Sequence, residues 1–161
     1  MSKAHKHVLA KNTDVHVEVA RRFAQHGQRY SSKRRAIVSI LETSDRPLTI
    51  SEILQLSKKF NDANNAIVQS SLYRNLVVLE EVGAVQKVVS TDDNGRYELN
   101  EEILGHHHHL LCSECGDVRD VVIPEHFEQK LDKELGQIAK RSGFKLDQHR
   151  LDLIGRCQKC A

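Results

Sequence analysis

The chain has 161 residues, with 24 Lys+Arg against 22 Asp+Glu, 10 His and 4 Cys. Its 39% hydrophobic and 29% charged fractions exclude a disordered chain, and no apolar run reaches the ~18–20 residues of a membrane span. The polar start, Met1-Ser2-Lys3-Ala4-His5-Lys6-His7, lacks the apolar core of a secretory signal, so a cytoplasmic protein without structural disulfides is expected.

The first half reads as helices. Val15, Val19 and Phe23 recur at i, i+4 and i+8, and Gly27 ends that helix. Ser32 is placed to cap a second helix, with Ile37, Ile40 and Leu41 inward. Thr49-Ile50-Ser51-Glu52 is a capping box opening a third, with Ile53 and Leu54 on its core face. A fourth is predicted from near Ser70 to Gly83, with Leu72, Leu76 and Leu79 inward. Val85–Ser90 and Arg96–Asn100 then flank a turn whose Asn94-Gly95 is a hairpin signal. Helices followed by a hairpin form a winged-helix pattern, in which the last helix before the hairpin enters the DNA major groove. On that helix Ser70, Ser71, Arg74 and Asn75 are polar and Tyr73 borders the two faces. Arg can fork onto a guanine edge or a phosphate, and Ser can donate to phosphate. An ordinary amphipathic helix with a solvated face would show the same pattern.

Charge divides the chain in the same way. Residues 1–75 carry 13 Lys+Arg and 6 Asp+Glu, residues 76–100 carry 2 and 5, and residues 101–161 carry 9 and 11. A basic first half suggests a polyanionic partner. Every Cys lies beyond residue 100, so a boundary is expected near 98–104, dividing the chain into 1–98 and 99–161. In the second part, strands are expected at Leu110–Cys112 and Val118–Ile123. Phe127, Leu131, Leu135 and Ile138 mark a helix ended by Gly143, and Phe144–Ile154 is apolar enough for a last strand. The fold class is α+β: a winged-helix domain, then a small α/β domain with little core of its own. A domain that small needs a staple.

The cysteines provide one. Cys112-Ser113-Glu114-Cys115 and Cys157-Gln158-Lys159-Cys160 are two CxxC pairs separated by 41 residues. Each pair spans about one edge of a tetrahedron, and two complete a four-thiolate site suited to Zn²⁺. The spacing is longer than a zinc ribbon's and reads as a clasp from the end of the segment to its start. A redox CxxC would need a thioredoxin-like βαβ context, which neither pair has.

Just before Cys112 stands His106-His107-His108-His109. On a strand, His107 and His109 face one way and His106 and His108 the other, so the run can serve two separate sites. Glu98, Asp120, Glu128 and His149 are further candidates. With the cysteines taken, such sites are built from N and O ligands, which suit Fe²⁺, Mn²⁺ or Zn²⁺. A solvated histidine cluster without metal is the plainer alternative.

These residues resemble the ferric uptake regulator family, dimeric metal-sensing transcription factors that include zinc-uptake and peroxide-sensing members. The resemblance runs from about His16 to Cys160. It is carried by His106–Gly116, by Ser71-Leu72-Tyr73-Arg74-Asn75-Leu76 and by Gly27-Gln28-Arg29-Tyr30-Ser31-Ser32-Lys33-Arg34. It implies that Cys112, Cys115, Cys157 and Cys160 hold structural zinc. It implies a regulatory site of Glu98, His107, His109 and Asp120, and an additional site of His106, His108, Glu128 and His149. Tyr73 and Arg74 match base-contacting residues, with Ser70, Ser71 and Asn75 beside them, and Arg29 matches a basic residue approaching the minor groove. The chain departs from the family at Pro47, where members commonly place a histidine ligand; His26 or an N-terminal histidine could serve instead.

The resemblance thus implies a metal-dependent repressor that binds a palindromic operator as a homodimer, with no membrane or small-molecule substrate. The absence of a spare Cys and the presence of Glu98 favour Fe²⁺ as the regulatory ion. The uninterrupted four-His run points to zinc, and Asp120 to a peroxide sensor. A metal-dependent hydrolase is the rival from another class, but no HExxH, nucleophile elbow or phosphate loop supports it. A zinc-stapled interaction module without DNA leaves the basic first half unexplained.

Overall fold

Asp14 opens the first helix by accepting a hydrogen bond from the His16 N–H at 2.8 Å, a side-chain cap on an otherwise orphan donor. The computed structural model describes residues 14–60, 67–92 and 94–161. In chain order these form α1 Val15–Gln25, α2 Ser32–Glu42, β1 Leu48–Thr49, α3 Ile50–Phe60, α4 Gln69–Glu81, β2 Val85–Val88 and β3 Arg96–Leu99. There follow α5 Glu101–Leu104, β4 His108–Cys112, β5 Val118–Val121, α6 Glu125–Arg141 and β6 Asp152–Gly155.

The predicted helices are present, with small shifts at their ends. Ser31, not Ser32, caps α2, accepting from the Arg34 N–H at 3.4 Å. The capping box of α3 is reciprocal: the Glu52 N–H reaches Thr49 Oγ1 at 3.3 Å, and the Thr49 N–H reaches Glu52 Oε2 at 2.7 Å. Helix α4 begins at Gln69, and Val68 before it offers no side-chain cap. Gly83 turns the chain out of α4 at φ 69°, a left-handed conformation that a Cβ disfavours. Val19, Phe23, Ile37, Ile40, Ile53, Leu72, Leu76 and Leu79 are all buried in one core beneath these helices.

A three-stranded antiparallel sheet of order β1-β3-β2 closes that core. Strand β1, too short to be predicted, pairs Leu48 with Tyr97. The hairpin is present, but Asn94-Gly95 does not form a two-residue turn. Strand β2 stops at Val88, which pairs with Arg96, because Ser90 and Asp92 organise a longer loop. Ser90 Oγ donates to Asn94 O at 2.9 Å, and Asn94 Nδ2 donates to Asp92 Oδ2 at 2.9 Å. All four residues of β3 are buried. Tyr97 and Leu99 enter the helical core, and by strand alternation Arg96 and Glu98 face the second half of the chain.

That half begins with α5, capped by Asn100, whose Oδ1 accepts from the Glu102 N–H at 3.0 Å. A second sheet has order β5-β4-β6, with β5 antiparallel and β6 parallel to the central β4. In register, His109 lies between Asp120 and Asp152. The apolar stretch expected as a strand over 144–154 pairs only at Asp152–Gly155, and α6 leads from β5 toward it. The stripe on α6 is also not a core face within this chain: Phe127 is 52% and Ile138 50% exposed, and Phe144 and Ile154 lie open beyond it. Among the described residues, no helix is long and apolar enough to cross a membrane.

Denaturant unfolding should register both levels of this construction. Thr49→Ala, which removes one half of the reciprocal cap, is expected to cost about 1 kcal/mol. Leu76→Ala, in the shared core, is expected to cost about 2–5 kcal/mol.

Candidate functional site

The two CxxC turns meet. The sulfurs of Cys112, Cys115, Cys157 and Cys160 all lie within 4.8 Å of one another, and no cysteine is in a disulfide. Cys115 and Cys157 are 3.7 Å apart, close to the ~3.8 Å edge of a tetrahedron with metal–sulfur bonds near 2.3 Å. Backbone N–H groups of Cys115, Cys157 and Glu114 bring the Cys112 thiol down to about 6. The sulfurs of Cys157 and Cys115 push the Cys160 thiol up to about 12. Four sulfurs this close cannot all ionise without a cation among them, so the donor set fits a bound dication.

A second cluster joins the two halves of the chain. Glu98, His107, His109 and Asp120 have side chains 4%, 1%, 3% and 8% exposed. The Nε2 atoms of His107 and His109 both lie 3.2 Å from Glu98 Oε2, and Gln86 Nε2 donates to Glu98 Oε1 at 2.7 Å. Burial raises the Glu98 pKa, but the hydrogen bonds and charges of the two histidines outweigh it, leaving about 2. Burial likewise opposes charging His107, yet Glu98 lifts it to about 9. Asp120 moves the other way, up to about 7, through burial and the negative charge of Glu98. The Nδ1–H of His107 donates to Gly105 O at 2.9 Å, which directs its Nε2 into the cluster. His109 Nδ1 is buried without a hydrogen-bond partner.

The third cluster lies on the opposite face of β4. His108 Nε2 is 2.9 Å from Glu128 Oε2, while His149 Nε2 and His106 Nε2 lie 2.9 and 3.2 Å from Glu128 Oε1. Glu128 Oε1 and His149 Nε2, close as they are, do not meet at a hydrogen-bond angle. Three imidazole nitrogens converging on one carboxylate suit a divalent ion. Two outer carboxylates orient the rings: Glu101 on His106 Nδ1 at 2.9 Å and Asp132 on His149 Nδ1 at 3.0 Å. Neither was singled out from the sequence, although Asp132 stands four residues after Glu128 on α6, one turn along the same face.

The alternation expected of the histidine run thus matches the geometry, and the three groups gather the same residues that the family resemblance groups. The residues expected to meet nucleic acid are less uniform. Ser70, Tyr73 and Arg74 are exposed on α4, and Arg29 is exposed in the α1–α2 loop. Ser71 is corrected: it is 8% exposed, on the inward side of the helix. Asn75 is half-buried and engaged, donating to Ser71 O at 2.7 Å and accepting from Arg34 Nε at 3.2 Å, so it braces α4 against α2. Pro47 is buried and His26 lies exposed beyond α1, outside every cluster; His5 and His7 lie outside the described residues. From the same loop as Pro47, Asp45 lines a cleft of about 670 Å³ together with Asp120, Arg46, Arg119 and Lys159.

The profile of the Ferric uptake regulator family matches residues 25–154. The peroxide-responsive repressor PerR of Staphylococcus epidermidis is 32% identical over 136 residues, covering 83% of this chain and 82% of its own. The Helicobacter pylori ferric uptake regulator Fur, described as having three functional metal binding sites, superposes with a TM-score of 0.71 at 23% identity over 91% of each chain. A zinc-bound manganese uptake regulator superposes with a TM-score of 0.62 at 30% identity, over 86% of this chain and 98% of its own.

Elemental analysis of the purified chain is expected to find one zinc per chain that survives dialysis. Cys112→Ser should abolish it and unfold the second sheet by circular dichroism; a stable variant without zinc would contradict the clasp.

Proposed function

Because the chain belongs to the ferric uptake regulator family, whose members are metal-responsive regulators of transcription and not enzymes, we propose that it is a repressor that binds a palindromic DNA operator as a homodimer when loaded with a regulatory divalent metal. In this reading residues 1–98 form the winged-helix DNA-binding domain and residues 99–161 the metal-binding dimerisation domain. Cys112, Cys115, Cys157 and Cys160 hold structural zinc, and Glu98, His107, His109 and Asp120 hold the regulatory ion, with Fe²⁺ favoured over Zn²⁺ and Mn²⁺. His106, His108, Glu128 and His149 hold a further ion.

The observation that carries the reading is Glu98. It stands in the sheet that packs under the DNA-reading helices, yet its carboxylate is buried between two histidines of the second half. A bound dication supplies positive charge to a pocket that otherwise holds two carboxylates against a protonated His107. Glu98, His107, His109 and Asp120 would hold such an ion, and His107 Nε2 would have to give up its proton to serve as a ligand, so metal uptake would release protons. Glu98 then stays anchored to His107 and His109 only in the arrangement where the two halves are closed on each other. A ligand that binds one arrangement better shifts the population toward it. Closure sets two copies of α4 at the spacing of operator half-sites, where Arg74 and Tyr73 read base edges, Ser70 meets phosphate, and Arg29 approaches the minor groove.

The homodimer is supported by what the second half leaves uncovered. Among the described residues, its apolar cluster is Leu111 and Val118 with Val88 from the first sheet. Phe127, Ile138, Phe144, Leu153 and Ile154 stay open, apolar side chains of the kind that mark an interaction surface. A second copy covers it.

A second reading is favoured by the 32% identity to a peroxide-responsive repressor and by the two carboxylates of the regulatory cluster: the chain senses peroxide through its bound ion. Both readings are tested by titrating operator binding with Fe²⁺, Mn²⁺ and Zn²⁺ on an AT-rich palindrome. His107→Ala with His109→Ala is expected to retain zinc and the dimer in size-exclusion chromatography while losing the metal-dependent gain in DNA affinity; an unchanged metal response would remove the assignment. Under the peroxide reading, brief hydrogen peroxide treatment abolishes operator binding of the Fe²⁺-loaded protein and spares the Mn²⁺-loaded protein.

A further inference from the structure

The loop between β2 and β3 is bonded to the cysteine clasp. Arg96 is 5% exposed, and its Nε donates to Gly116 O at 3.0 Å, with Nη2 donating to the same oxygen. Nη2 also donates to Asp92 Oδ2 at 3.0 Å, so the buried cation is balanced by a carboxylate. One residue before Asp92, Thr91 Oγ1 donates to Cys112 O at 2.7 Å. Two carbonyls of the Cys112–Gly116 turn are therefore held by side chains of the hairpin loop. Gly116 permits this approach: its φ is +68°, and a Cβ there would overlap the Asp92 carboxyl group.

The peptide group that Arg96 grips has a second end. Its oxygen belongs to Gly116 and its N–H to Asp117, so the grip fixes the peptide group by which the chain leaves the Cys112–Cys115 turn. Outer partners of this kind orient metal ligands and tune their hold on the ion.

We propose that Arg96 is a positioning residue for the four-thiolate site, holding the turn that carries Cys112 and Cys115 against the β2–β3 hairpin through the Gly116 carbonyl so that metal occupancy of the clasp and placement of the hairpin are linked. The proposal rests on the reading that the four cysteines hold zinc. Linkage is reciprocal: the hairpin slows loss of the metal, and the metal holds the hairpin.

The test uses the full-length zinc-loaded protein and two measurements. The first is the rate of zinc transfer to a chromogenic chelator. The second is hydrogen exchange of the amides at 89–96 before and after zinc removal. Arg96→Met is expected to weaken the hold on zinc by about 10–100-fold, with Arg96→Lys intermediate and Arg119→Met, in the same cleft, at the wild-type value. Wild-type loop protection should fall when zinc is removed, whereas the Arg96→Met loop should be unprotected throughout. Wild-type zinc transfer in Arg96→Met, or loop protection that ignores zinc in the wild type, overturns the proposal. If Arg96→Met does not fold, Thr91→Val removes only the hydroxyl on Cys112 O and takes its place: faster zinc transfer with a less protected loop supports the coupling, and wild-type values overturn it. A wild-type chain that carries no zinc refutes the clasp itself, an outcome separate from failure of the coupling.

Discussion

Strand β3 serves two interiors at once, and the rest of the molecule is arranged around that. A strand turns successive side chains to opposite faces, and in Arg96–Leu99 both faces are buried. Tyr97 and Leu99 belong to the helical core. Arg96 and Glu98 belong to the other side, one gripping the cysteine turn and the other seated between two histidines. Four residues thus tie the helical half to a thiolate cluster and to an imidazole cluster. A shift of β3 by a single residue would send both charged groups into an apolar core and both apolar groups toward the ligand clusters.

The second half is organised by charge more than by apolar packing. Its buried apolar core is minimal, while its interior is rich in histidine, carboxylate and sulfur. Such groups are costly to bury unless each meets a partner. In the clusters they meet one another: Glu98 is held ionised by His107 and His109, and Glu128 gathers three rings. Protons occupy some of the positions that a dication would take, so the same side chains form the interior of this half and a donor set that fits a metal.

How far the fold could be read from residue patterns depended on the range of the interaction. Helices α1 to α4 were legible because their apolar spacing and caps are local; even the Ser31 cap was missed by only one position. The alternation of the histidine run followed from strand geometry alone, and the CxxC spacing named the clasp. What could not be read involves residues distant in sequence that a register brings together. Strand β1 exists because Leu48 finds Tyr97, and Gln86 supports Glu98 because they are directly opposed. Glu101 and Asp132 are ordinary surface acids until the histidine rings come near. The open stripe on α6 misled for a different reason: an apolar periodicity reports that a face is covered, not by which chain. Ser71 lies on the inward face among α4's leucines, where a small hydroxyl fits as well as an alanine.

The parallel pairing of β6 with β4 has a consequence for the order in which the protein matures. The strand that carries the histidines is completed at residue 112, but one of its two neighbours and half of its thiolate clasp come only with residues 152–160. The helical half can acquire its shape while translation continues. The second half cannot, because its central strand keeps an unpaired edge until the ribosome has added β6, and its four-sulfur cluster is complete only with the CxxC pair that follows. A chain interrupted between those points would hold an assembled helical half beside a second sheet without β6 and half of its cysteines.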